Sequence, residues 1–166
     1  MKDFKGMDAL KLIGCLALCQ LAGFLGSLAT IPSIPTWYAQ LNKPSFSPPN
    51  WVFSPVWISL FVLMGISLFI IWEKKPKNPE VRKGLIFFFV QLGLNIVWSE
   101  AFFGFHSPLA GLIVIAFLWT TILLTIQKFY KVSKIAGLLL LPYILWVSFA
   151  AILNFFLWTL NTSLNL

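Results

Sequence analysis

Five long apolar stretches run along the chain, at about residues 10–29, 51–72, 84–104, 109–126 and 135–160, and polar or proline-bearing breaks separate them. A helix needs about 20 apolar residues to cross the hydrocarbon core of a bilayer, and each stretch meets or approaches that length. With no water in that core, every backbone N–H and C=O must be paired inside the segment, which selects helices. The pattern predicts an all-α integral membrane protein, a five-transmembrane-helix bundle forming one domain over residues 1–166. The breaks differ in kind. Residues 30–50 are rich in proline and aromatics, 73–83 carry charge and proline, Gly104 to Pro108 reads as a tight turn, and Gln127 to Lys134 reads as a short basic loop. The fifth stretch is long for one span, and Pro142 inside it is predicted to kink it by removing a backbone hydrogen bond.

Composition narrows the class further. Hydrophobic residues make up 59% of the 166 positions and charged residues only 10%, whereas a soluble domain carries about a quarter charged residues. Five spans leave no length for a soluble catalytic domain or a nucleic-acid-binding domain. The formal charge of +7 is therefore a topology signal. Lys2, Lys5 and Lys11 precede or open the first span, Lys74, Lys75, Lys77, Arg82 and Lys83 follow the second, and Lys128, Lys131 and Lys134 follow the fourth. The opposite side receives only Lys43. By the positive-inside rule the N-terminus is cytoplasmic and the C-terminus extracytoplasmic, in a bacterial or archaeal cytoplasmic membrane. Residues 1–29 also have the pattern of a signal peptide, with Ser27-Leu28-Ala29 as a small-residue cleavage site. Gln20 and the small-residue rows Cys15/Cys19/Gly23/Ser27 and Ala22/Gly26/Thr30 favour a retained, packed helix. Those rows also make the first span the candidate interface of a homodimer.

The candidate chemistry lies on the extracytoplasmic half. Between Trp37 and Trp57 the chain carries Pro44, Pro48, Pro49 and Pro55 with Tyr38, Phe46 and Trp51. Prolines lower the entropy lost on ordering, and Trp and Tyr combine apolar area with a polar edge. Segment 30–50 is expected to be an ordered lid whose opening gates access from outside. Trp37, Tyr38 and Phe46 would cover a pocket mouth, with Lys43 at the wet edge facing a ligand carboxylate or an anionic lipid headgroup. An interfacial aromatic belt is the competing reading. In the third span Gln91, Asn95, Trp98, Ser99 and Phe102 recur at spacings of three and four and share a face. Tyr143, Trp146, Ala150, Leu153 and Asn154 do so in the fifth, and Trp51 and Trp57 open the second. These stripes point to a pocket for a large, flat, mostly apolar ligand with few hydrogen bonds. Glu100, the one acidic residue within an apolar span, is expected to snorkel to the interface. Cys15 and Cys19 read as packing residues. One histidine, His106, leaves no ordinary His/Cys metal site, and no nucleophile–base pair or phosphate loop is visible.

Three motifs in order carry a family resemblance: WYAQLNKPSFSPPNWVFSPVW (37–57) followed by Met64-Gly65, QLGLNIVWSEAFFG (91–104) and LPYILWVSFAAILNFFLW (141–158). Together they resemble the TspO/MBR family, the tryptophan-rich sensory proteins and translocator (peripheral benzodiazepine receptor) proteins. The resemblance implies a five-helix protein, commonly dimeric, with a pocket under the first long loop. It implies binding of porphyrins such as protoporphyrin IX and of benzodiazepine or isoquinoline-carboxamide drugs, with no required cofactor. Some bacterial members are associated with light- and oxygen-dependent porphyrin breakdown, and the tryptophans tied to that chemistry match Trp57 and Trp146. The family's pocket asparagine matches Asn95 and its pocket alanine matches Ala150. The animal proteins' cholesterol stretch is not intact, since Phe155 and Phe156 are followed by no Lys or Arg. The functional expectation is a membrane-integral tetrapyrrole-binding receptor, carrier or stress sensor. A photo-oxidative porphyrin-degrading enzyme and a transporter of porphyrins or lipid-like molecules are the alternatives.

Overall fold

The computed structural model describes residues 6–74 and 79–162 and contains helices and no strand among them. The helices are α1 (Gly6–Ser33), α2 (Trp37–Gln40), α3 (Phe53–Trp72), α4 (Pro79–Ser99), α5 (Pro108–Val132), α6 (Lys134–Leu138) and α7 (Leu141–Asn161). Five stretches are long and apolar enough to cross a membrane: Met7–Ser33, Asn50–Trp72, Pro79–Gly104, Pro108–Val132 and Lys134–Asn161. The protein is thus an all-α, five-span integral membrane bundle. Of the basic residues used for orientation, Lys2, Lys5, Lys75 and Lys77 lie outside the described residues.

Helix ends depart from the apolar pattern where polar residues continue a helix beyond the hydrocarbon. α1 runs to Ser33, so the connecting segment starts at Ile34 rather than at residue 30. The third span opens at Pro79 with Glu80 in its first turn, where a negative charge suits the positive end of the helix dipole. The expected loop from Gln127 to Lys134 is mostly helix. α5 continues to Val132 with Lys131 in its last turn, and Ser133 alone breaks the chain. Ser107 caps α5 by accepting from the Ala110 N–H at 3.2 Å, and Pro108 follows in its first turn. The fifth span is interrupted as its proline demands: α6 ends at Leu138, and Pro142 occupies the first turn of α7, where a missing N–H costs nothing.

Glycine and other small residues set the helix spacing. A Cβ added at Gly65 would stand 2.9 Å from the Leu16 backbone, one at Gly23 would stand 2.5 Å from the Phe61 ring, and one at Gly26 would stand 2.9 Å from Ser99 Oγ. Cys15, Cys19, Ala22 and Gly26 are buried inside the protomer. They are consumed in seating α1 on α3 and α4, and α1 instead turns Leu10, Leu21, Phe24, Leu28 and Ile31 outward. α4 packs along α5, and α5 along α7. One end of the bundle is tied by ion pairs, Lys11 to Glu73 at 2.8 Å and Lys128 to Glu80 at 3.0 Å. Nearby, Ser67 Oγ donates to the Ala136 carbonyl at 2.8 Å and joins α3 to α6.

Candidate ligand-binding site

The half of the bundle next to α2 holds a cavity of about 360 Å³ whose walls come from α1, α3, α4 and α7, with α2 above. This volume is in the range typical of small-molecule sites. Its roof is the connecting segment. Trp37 is 5.4 Å from Phe102 edge-on and stacks on His106 at 4.9 Å. His106 reaches that position by adopting a left-handed backbone, φ 53°. Tyr38 packs on Phe102 and Phe103 and is 3% exposed. Burial holds its phenol above the usual tyrosine pKa, so it meets the cavity as a neutral group.

Two polar ties pin this roof. Ser33 Oγ donates to the Phe103 carbonyl at 2.8 Å. Asn161, at the end of α7, grips the backbone of Asn42 twice. Its Oδ1 accepts from the Asn42 N–H at 2.9 Å, and its Nδ2 donates to the Asn42 carbonyl at 3.0 Å. Phe46 adds edge-on contacts to Phe149 and Phe156. Neither asparagine stands out in the sequence, because the tie joins residues 119 positions apart.

The floor is a buried polar relay. The Asn95 amide donates to the Tyr143 hydroxyl at 3.0 Å, and that hydroxyl donates to Gln91 Oε1 at 2.8 Å. All three residues are buried, and Gln91 Nε2 has no partner. Tyr143→Phe removes the hub and strands the Asn95 donor and the Gln91 acceptor. A buried unsatisfied group costs about 1–3 kcal/mol. The variant is expected to lose roughly 2 kcal/mol of stability, read as a lower melting temperature in detergent; an unchanged value would show that the relay is idle. At the wall, Asn154 Nδ2 donates to the Pro108 carbonyl at 2.7 Å, and Trp98 Nε1 reaches Asn154 Oδ1 at 3.4 Å. Gly111 permits this approach, since a Cβ there would stand 2.9 Å from Asn154 Oδ1.

The sequence-predicted site residues divide into two groups. Tyr38, Trp57, Asn95, Trp98, Ala150 and Asn154 line the cavity. Tyr143 lies beneath it, and Trp37 and Phe46 belong to the roof. Lys43 places its ammonium over the Tyr38 ring, 4.6 Å from its centroid, and Trp51 is 74% exposed. Trp146 does not share the cavity with Trp57. It packs on Phe53 and Phe149, and its indole N–H is buried without a partner. Helical periodicity put Trp146 on the side of α7 that carries Ala150 and Asn154, and it meets the lining residue Phe53 edge-on at 6.0 Å. Glu100 is exposed, and its carboxylate lies over Gly104.

Phe53, Phe61 and Phe103 line the cavity without having been singled out. Phe103 is brought in by a π-helical turn, Glu100–Gly104, closed by Phe105 N–H to the Glu100 carbonyl at 2.8 Å. The extra residue in that turn lets the adjacent Phe102 and Phe103 both point inward, 4.7 Å apart. No periodicity of 3.6 would have placed both there.

The comparisons with known proteins agree with this architecture. A model of the TspO/MBR family matches residues 15–159. The chain is 48% identical over 147 residues to the Tryptophan-rich protein TspO of Chlorobaculum tepidum, covering 89% of this chain and 93% of that protein. It is 48% identical over 155 residues to the protein of the same name from Archaeoglobus fulgidus, covering 93% and 99%. It is 34% identical over 150 residues to the Translocator protein of Sus scrofa, covering 90% and 89%. The family match reaches into all five spans and includes every wall of the cavity. The chain belongs to the TspO/MBR family of membrane proteins.

Proposed function

We propose that the cavity binds a protoporphyrin IX-like tetrapyrrole, and that the protein serves as a membrane receptor, carrier or stress sensor for it. The supporting observation is the character of the walls. Trp57, Trp98, Phe53, Phe61, Phe102 and Phe103 offer ring faces and edges, while Asn95 and Asn154 supply a few fixed polar groups. Such a lining suits a flat apolar ligand with sparse hydrogen bonding. The names of the relatives, tryptophan-rich protein and translocator protein, fit a binding role. The site would face the extracytoplasmic side, because eleven of the twelve basic residues fall on the other side of the five-span alternation. Titration with protoporphyrin IX in the dark and without oxygen is the test. Saturable binding is expected, and its absence would reject the reading.

One observation favours photochemistry as a second activity: Trp57 lines the cavity with its ring centroid 6.5 Å from that of Trp98. Photoexcited porphyrin generates reactive oxygen, and an electron-rich indole against it reacts without a general acid or base. Trp57→Phe keeps most of the apolar contact and removes the indole. Dark affinity is expected to change less than about fivefold, or roughly 1 kcal/mol, while product formation on illumination in air falls severalfold more. Trp146→Phe, at a position outside the lining, is expected to leave both nearly unchanged. Parallel loss of binding and turnover in Trp57→Phe would deny the indole a chemical role.

A further inference from the structure

The cavity is covered by α2 and the π-turn and opens at its side. The lining residues from α2 and the π-turn, Tyr38, Phe102 and Phe103, are buried, and the two ties from Asn161 and Ser33 hold that part of the roof down, while Asn50 at the end of the connecting segment is exposed. By contrast, several lining residues from α1 and α3 are exposed to the outside of the bundle. Phe24 is 60% exposed, Ile31 67% and Ile58 57%, and the lining Ser54 is exposed as well. A side chain can line an interior space and also face outward only where the wall between two helices is open. The two helices meet closely away from the cavity, where Gly65 lies against Leu16, and beside it, where Gly23 lies against Phe61. Gln20 Nε2 then donates to the Ile58 carbonyl at 3.1 Å. The rim of the gap is apolar and lies within both apolar spans, Met7–Ser33 and Asn50–Trp72.

We infer that the site is loaded sideways from the bilayer, through a portal between α1 and α3 whose inner end is closed by the Gln20–Ile58 bridge, and not through the lid. Phe24, Ile31 and Ile58 form its apolar jambs, and Ser27 and Ser54 are the small residues that leave it clear. The fitting ligand is one that partitions into lipid and presents a flat apolar edge to a slot. This rests on the cavity being a ligand site, but its geometry can be tested without tetrapyrrole.

The test is photolabelling of the full-length protein in lipid vesicles with a bilayer-dissolved aryl diazirine, mapped by mass spectrometry. Insertion is expected at the deep wall, in the peptides holding Asn95 and Ala150. Ser54→Trp places a bulky ring in the gap and is expected to reduce that insertion at least fivefold. Ser27→Phe plugs it from α1 and guards against misfolding of the first variant. In a Cys15→Ala, Cys19→Ala background, Asn42→Cys bridged to Asn161→Cys by a short bismaleimide locks the lid. Deep-wall insertion is then expected to stay within twofold of the unbridged protein. Insertion that persists in both folded plug variants, or that falls when the lid is bridged, would overturn the portal. A protein that labels as expected yet gives no saturable dark titration with protoporphyrin IX keeps the portal and loses the tetrapyrrole reading.

Discussion

Gly65→Leu is expected to lower the melting temperature by on the order of 10 °C, the loss of about 3 kcal/mol in a chain of this size. At Gly65 the obstacle is backbone. Its added Cβ would stand 2.9 Å from Leu16 Cα and 3.2 Å from the Cys15 carbonyl oxygen. A flexible side chain could swing aside, but a helix backbone moves only by separating α1 from α3. Without a hydrophobic drive between helices in lipid, such close contact is the main source of their association. Gly93 supplies the control. Nothing lies within 4 Å of a Cβ there, so Gly93→Ala should hold or raise the melting temperature by restricting the unfolded chain. Thermal scans of the two variants in the same detergent decide the matter. A Gly65→Leu value within about 2 °C of wild type, below the shift of a single kcal/mol, would mean that α1 is not held against α3 as described.

Ala150→Trp is expected to weaken protoporphyrin IX binding at least 100-fold, about 2.7 kcal/mol, with the fold intact. Ala150 lines the cavity from α7, so the new ring enters empty space rather than packed core. It would occupy part of about 360 Å³ that the ligand needs. Ile152, two residues on, is 54% exposed on the outer surface, and Ile152→Trp should leave affinity within about twofold, or roughly 0.4 kcal/mol. Equilibrium titration of both variants in the dark separates the outcomes. Undiminished affinity in a folded Ala150→Trp protein would move the ligand out of this cavity.

Much of this molecule is legible in one dimension. The requirement that a segment satisfy its own backbone in hydrocarbon acts on each stretch separately, so five spans can be counted from apolar runs alone. Helical periodicity is equally local. It put Gln91, Asn95, Ser99 and Phe102 on one face, and all four are buried. Pro142 announced the interruption of the fifth span because its missing N–H acts where it stands. The helix ends at Pro79 and Val132 were harder, since polar residues there remain helical in water and leave no apolar trace.

What each face meets is a different kind of fact. The small-residue rows of α1 announced close packing, yet whether their partner was a second copy or another helix depended on Phe61, Ser99 and Gly65. Trp57 and Trp146 sit on comparable stripes, but of the two Trp57 lines the cavity while Trp146 packs edge-on against Phe53. The Asn161 grip on Asn42 and the inward turn of Phe103 likewise depend on distant partners or on one extra residue in a helical turn. Local chemistry thus determined the number of helices, their order and the composition of their faces. Tertiary packing alone decided which faces meet, where a void remains and on which side it opens, because each depends on pairs of surfaces from separate helices that no single stretch contains.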